Sequence, residues 1–175
     1  ARSDLAYSNL TWRLPNLVAK RPEGEVRMAL RSHTGTQDYQ IDFRSSIDPH
    51  AVTPALEEEK QKKGFDYFSF ETPPVIEGRV WGRWRERERT AFRATVAATN
   101  FTFRAQQVDR FTAGMSFGDG ILGMTNAVVR RPEGEGSVEG LGFDTRTRRL
   151  SLTNAVGRLE PMAVAKAIGP KTARA

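Results

Sequence analysis

The chain holds two histidines, His33 and His50, and no cysteine. A hydrolytic triad needs an imidazole set against a serine and an acid. His33 falls in a loop beside Gly35, His50 lies in a first helical turn after Asp48, and neither is accompanied by a nucleophile-elbow sequence. Without cysteine there are no disulfides, thiolate catalysis or Cys-based zinc sites, and the histidines and carboxylates lack the spacing of a metal site. The pair Asp42 and Asp48 has the residue types of glycosidase chemistry, but a chain with 21 acidic residues offers many such pairs. Gly118-Asp119-Gly120 is followed by no Lys-Ser/Thr and no helix start, so it is a hairpin signal and not a phosphate loop. The residues therefore predict a protein that is not an enzyme, with no catalytic residue, metal or cofactor.

What the sequence does supply is alternation. Val26, Met28 and Leu30 recur every second residue with Arg27 and Arg31 between them, and Tyr39, Ile41 and Phe43 return with Gln40, Asp42 and Arg44 opposite. Period-two patterning of this kind marks strands with one apolar and one wet face. It continues through Val80 to Trp84, Phe92 to Ala98, Phe101 and Phe103 after Asn100, Phe111 to Phe117, Ile121 to Val129, Val138 to Phe143, and Leu150 with Leu152. Asp4 to Trp12 reads as a strand with an Asn-containing bend. The apolar residues Met28, Leu30, Ile41, Phe43, Phe92, Val96, Phe101, Phe103, Phe111, Met115 and Phe117 form either the lining of an open groove or a closed core. The sequence leaves those two alternatives open.

One helix interrupts the strands. Asp48 is a good N-cap, Pro49 suits the first helical position, and Val52 with Leu56 forms an i,i+4 apolar pair. The segment then runs through charged and amide residues to Lys63, breaks at Gly64, and reaches Phe65, Tyr67, Phe68 and Phe70 before Pro73-Pro74. Such a helix has only a narrow stripe to bury, which places it on the sheet edge or over an open end of the core. The aromatic run reads first as a packed anchor joining helix to sheet. Phe65, Tyr67, Phe68, Trp81 and Trp84 are the candidates for docking a partner.

Two stretches recur in the same order. Arg21-Pro22-Glu23-Gly24-Glu25 returns as Arg131-Pro132-Glu133-Gly134-Glu135, and the Ile47-Asp48-Pro49 helix start returns as Leu159-Glu160-Pro161, at nearly the same interval. Around the first pair, Leu5, Tyr7, Asn16 and Val18 lie opposite Met115, Phe117, Asn126 and Val128. The expectation is a mainly β protein: an elongated twisted antiparallel sheet built from repeats of about 110 residues with one short helix each. Residues 1–46 would be the β part of a first repeat, 47–158 a complete repeat, and 159–175 the helix start of another.

The formal charge of +6 invites a nucleic-acid reading, but the arginines are dispersed and interleaved with glutamates, as in Arg85-Glu86-Arg87-Glu88-Arg89. Solvated strand faces and edges that resist aggregation account for them, and no nucleic-acid partner is expected. No apolar run approaches the roughly 18 residues of a membrane-spanning helix.

The succession of Phe117-Gly118-Asp119-Gly120-Ile121-Leu122, Gly134 to Leu141, Asp144 to Leu152, Leu159-Glu160-Pro161, and Phe70 to Gly78 (FETPPVIEG) resembles the repeats of the AsmA-like envelope proteins. The resemblance covers most of the chain and implies architecture more than activity. It implies a periplasmic, inner-membrane-associated protein of lipid transport or envelope assembly, whose twisted sheet forms a lipid-lined groove. The implied partner is lipid, or a membrane protein complex on which the chain docks as an accessory subunit. The chain departs from the family's pattern in lacking an anchor helix and most of the length.

Overall fold

The computed structural model describes residues 4–55 and 64–158. Period-two patterning gives the strands β1 (Ala6–Ser8), β2 (Thr11–Arg21), β3 (Gly24–His33), β4 (Asp38–Ser45), β5 (Phe68–Phe70), β6 (Val75–Arg83), β7 (Glu86–Phe103), β8 (Gln106–Gly118), β9 (Ile121–Arg131), β10 (Gly134–Asp144) and β11 (Leu150–Arg158). They form one antiparallel sheet of eleven strands in the order β1-β2-β3-β4-β6-β7-β8-β9-β10-β11, with β5 paired to β7. Every neighbour on this path is also the next strand in the chain, apart from the inserted β5. The chain is therefore mainly β, as its alternation predicts, and the sheet is open, with β1 and β11 as its edges.

Among the described residues the β4-to-β6 connection carries the only departure from a simple meander. β7 is 18 residues long, and its flank is shared: β6 covers Glu86 to Ala97, while β5 covers Phe101 to Phe103. Pro73 and Pro74 separate the two covering pieces, since neither can donate a ladder hydrogen bond, and Pro74 is fully buried.

The α-helix expected from Asp48 is a 3-10 segment, Pro49–Ala55, among the described residues. Asp48 does cap it, accepting the backbone N–H of His50 at 2.9 Å, and its carbonyl accepts from Ala51 three residues on. Pro54 explains the tighter winding. It has no N–H for the carbonyl of His50 four residues back, which instead accepts the Thr53 hydroxyl at 2.7 Å. The continuation through Leu56 to Lys63, and the third-repeat start at 159–175, lie outside the described residues.

Pleating breaks where asparagine takes the left-handed conformation. Asn100, Asn126 and Asn154 sit inside strands at φ of 50°, 48° and 46°, a region that Asn tolerates better than most side chains. Phe101 and Ala98 share one apolar cluster although they are three residues apart, so the face reverses at Asn100. At Asn126 the β8–β9 register shifts between Thr112 and Gly114, the signature of a bulge that bends the sheet. A Cβ on Gly78 would stand 2.4 Å from the Arg93 carbonyl oxygen and 2.7 Å from Ala94 Cβ, so β6 and β7 approach too closely there for any other residue.

Candidate functional site

Because directly paired residues of an antiparallel ladder share a face, the register assigns every side chain to a side. One row crosses nine strands from β2 to β11: Leu14, Leu30, Ile41, Val80, Phe92, Phe117, Leu122, Phe143 and Leu150. The row beside it is Leu17, Met28, Phe43, Gly78, Ala94, Met115, Met124, Leu141 and Leu152. A third runs Ala19, Val26, Ser45, Ile76, Val96 and Ala113. Ser45 is the one polar side chain in the three. At 4.7–4.9 Å per strand, nine strands make an apolar strip about 38 Å across.

This face is not sealed by a second layer among the described residues. Among the described residues only Ala98, Phe101, Val108, Ala113, Ala127 and Pro74 are buried apolar residues, whereas Met28, Leu30, Ile41, Phe43, Phe92, Val96, Met115 and Phe117 are half-buried. Of the residues that sequence reasoning proposed as groove or core, Phe101 belongs to a closed core with Ala98 and Val108, and Phe103 and Phe111 pack against it. The other eight share the open apolar face.

The closed core lies at the β5 end of the sheet. Phe68 pairs with Phe103 and Phe70 with Phe101, with ring centroids 4.9 and 5.5 Å apart. His50 joins this cluster edge-on to Phe65 and Phe70. Its Nδ1 lies 2.6 Å from Asp48 Oδ1 and its Nε2 3.0 Å from the Phe65 carbonyl, which ties the 3-10 segment to the chain re-entering at Gly64. His33 accepts the Thr36 backbone N–H in its turn. Neither histidine is set against a serine hydroxyl in these contacts, and the described residues contain no group of three or more His, Asp or Glu that could hold a metal ion.

Among the docking candidates, Phe65 and Phe68 are engaged in the aromatic cluster. Tyr67 is exposed with the Arg104 guanidinium 4.4 Å from its ring centre. Trp84 is exposed, packs on the Tyr39 ring and donates its indole N–H to Ser32. Trp81 lies on the opposite side of the sheet from the apolar rows, paired with Gln40 and Ala91.

That opposite side is polar, with arginines directly opposed across strands at Arg13/Arg31, Arg27/Arg44, Arg79/Arg93 and Arg110/Arg130. Like charges facing each other destabilise a ladder. Carboxylates offset this: Glu25 holds Arg27, Glu77 holds Arg44, Asp42 holds Arg79 and Glu135 holds Arg130. A concavity of about 1340 Å³ opens here, lined mainly by polar-side residues such as Gln40, Asp42, Glu77, Arg79, Trp81 and Arg93, and bordered by the strand positions between them, which belong to the second apolar row from Leu17 to Met115. Leu30, Ile41, Val80, Phe92 and Val96 do not line it, so it belongs to the polar side.

No family model, curated protein or solved structure matches the chain. No helix among the described residues is long and apolar enough to cross a membrane.

Three aspartates, Asp42 on the polar side and Asp38 and Asp144 at strand ends beside turns, are held below the usual carboxylate range. The Arg79 hydrogen bond lowers Asp42, Thr36 and then Arg83 lower Asp38, and the backbone N–H groups of Thr147 and Arg146 lower Asp144. A carboxyl whose folded pKa is depressed contributes stability above its unfolded pKa, here 3.8, and that contribution disappears as pH falls through the folded value. Thermal midpoints are therefore expected to be flat from neutral pH to about 5 and to decline below about 4. Asp42→Asn should shallow the decline, as measured by circular dichroism at several pH values.

Proposed function

We propose that the chain is part of a non-enzymatic β-repeat protein of the AsmA-like type that binds or guides lipid along the apolar face of its sheet. The observation that carries this reading is the apolar strip, which is continuous from β2 to β11 and is not covered by a second layer among the described residues. An acyl chain gains about 0.8 kcal/mol for each CH₂ withdrawn from water. Rows of Leu, Ile, Val, Met and Phe, with Ser45 the one polar side chain among them, would hold such a chain by its length and not by its chemical identity. On this reading the protein works in the periplasm in association with the inner membrane, in lipid transport or envelope assembly, and no residue acts on the lipid chemically.

The repeat organisation fits the same proposal, with 1–46, 47–158 and 159–175 as the end of one repeat, a whole one and the start of the next. Both Arg-Pro-Glu-Gly-Glu stretches are two-residue hairpin tips, Arg21 paired with Gly24 and Arg131 with Gly134. A second reading, an accessory subunit docking on a membrane protein complex, is favoured by the exposure of β11 along its whole length.

Native mass spectrometry of the gently purified chain, with lipid extraction of the same sample, tests the proposal. Phospholipid or lipopolysaccharide at near-stoichiometric amounts is expected. A lipid-free chain found only within a stable protein complex would sink lipid transport and leave the docking subunit.

A further inference from the structure

Four arginines line the concavity of the polar side, and three of them are held by carboxylates. Glu25 takes Arg27, Glu77 takes Arg44, and Asp42 Oδ1 accepts from Arg79 Nε at 2.5 Å. Arg93 is the fourth. It is exposed, stands directly opposite Arg79 on β6 and Ser116 on β8, and has no side-chain ion-pair or hydrogen-bond partner among the described residues. Directly opposed residues hold their Cβ atoms about 4.5–5.5 Å apart, so two guanidinium groups crowd one region. Asp42 is the one carboxylate of their row. Its second oxygen already accepts from Gln40, so it has none left for Arg93.

The floor beyond Arg93 is low. Its row continues as Ser116, Gly123, Gly142 and Ser151, with no side chain larger than serine, and the concavity runs on over Gly114, Ser116 and Thr125. Arg110 gives the comparison. It also stands opposite an arginine, Arg130, which Glu135 holds, and it too has no side-chain partner among the described residues, but it lies outside the concavity. An unpaired arginine on an open strand face is served by water, whereas a recess concentrates the field of the charges that line it.

We propose that the concavity beside Arg93 binds a phosphate group carried by a water-soluble molecule, with Arg93 and the terminal nitrogens of Arg79 as its cationic donors. A carboxylate has two oxygens and a single charge and is used up by one fork, as Asp42 is by Arg79 and Gln40. A phosphate group brings three free oxygens and close to two negative charges near neutral pH, so it can bridge two guanidinium forks on adjacent strands. The source is soluble because the sheet stands between this side and the apolar rows. A lipid lying on those rows keeps its own phosphate away from Arg93. The inference does not rest on lipid binding.

The test is isothermal titration calorimetry of the full chain with inorganic phosphate at low salt, where charge pairs are least screened. A Kd of about 1 mM or tighter is expected, with acetate at least tenfold weaker. Arg93→Gln is expected to weaken phosphate binding at least tenfold without lowering the thermal midpoint, since it removes one of two opposed like charges. Arg110→Gln is expected to leave binding unchanged. No heat of binding, equal loss in the two variants, or acetate bound as tightly as phosphate would overturn the proposal. The wild-type and Arg93→Gln chains are also sedimented with phosphatidylcholine vesicles containing phosphatidylglycerol, and no difference between them is expected. Vesicle binding that depends on Arg93, in a chain that does not bind free phosphate, would overturn the soluble source and make a lipid headgroup the ligand. Lipid that co-purifies with the two chains is expected to be equal, so failure here leaves the acyl-chain reading of the other face standing.

Discussion

Replacing Phe101 with alanine is expected to destabilise the fold by about 3–5 kcal/mol, the usual cost of emptying a buried aromatic site. Phe101 is 5% exposed and is the largest side chain of the small buried cluster it forms with Ala98 and Val108. Its ring also meets Phe70 and Phe68, so it is the point at which β5, and through Phe70 the histidine-tied 3-10 segment, is fixed to β7. A domain's whole stability is only about 5–15 kcal/mol, and this sheet has few other buried side chains to share the loss. Urea denaturation of the two proteins measures the difference. A change below about 1 kcal/mol would show that the aromatic cluster is not the fold's anchor.

Val96→Asp is expected to reduce bound lipid at least tenfold, while Thr95→Asp, one residue away, leaves it unchanged. Val96 lies in the third apolar row between Ile76 and Ala113, and Thr95 faces the other side between Glu77 and Gly114. A carboxylate on the apolar strip must be solvated, and the water it keeps is water that an acyl chain would otherwise displace. On the polar side a new acid stands in solvent, opposite Glu77, which Arg44 already holds, and two residues from Arg93 on the same strand. Lipid content by native mass spectrometry gives the comparison, with circular dichroism reporting on the fold. Val96→Thr, nearly the same shape with one hydroxyl, serves if the aspartate variant does not fold, and is expected to lose several-fold less lipid than the aspartate but more than Thr95→Asp. Equal lipid content in the Val96 and Thr95 variants would contradict the placement of lipid on the apolar face.

Much of the sheet is legible in the sequence because alternation and turn chemistry are local. Val26-Met28-Leu30 and Tyr39-Ile41-Phe43 become paired strands, and Gly118-Asp119-Gly120 and Pro22/Gly24 become hairpin turns. The bend expected near Asn9 is the tight β1–β2 turn, with Asn9 and Leu10 both at positive φ. What local patterning misses is the reversal of the pleat within a strand. β7 reads as two segments around Asn100 because its alternation changes phase there, although the backbone continues as one strand.

A signal for these reversals was present. Ser8-Asn9-Leu10, Thr99-Asn100-Phe101, Thr125-Asn126-Ala127 and Thr153-Asn154-Ala155 share a hydroxyl residue, an asparagine and an apolar residue, and all four asparagines are left-handed. The candidate site was legible to a lesser degree. The residues of the apolar face could be named from alternation, but the separation of Phe101 and its neighbours into a closed core depends on β5, whose pairing with β7 no local pattern specifies. The 3-10 winding likewise follows from Pro54 meeting the His50 carbonyl, which cap and periodicity signals do not weigh.

The central claim is that acyl chains lie on the apolar face, and photo-crosslinking tests it most directly. A fatty acid carrying a photoactivatable group near its methyl end is incubated with the full chain, irradiated, and mapped by peptide mass spectrometry. Adducts are expected on the apolar rows, at residues such as Met28, Ile41, Val96 and Phe117, and to be displaced by unlabelled phospholipid. Adducts distributed equally over Thr95, Arg93 and Trp81 on the polar side, or no adduct that phospholipid displaces, would contradict the account.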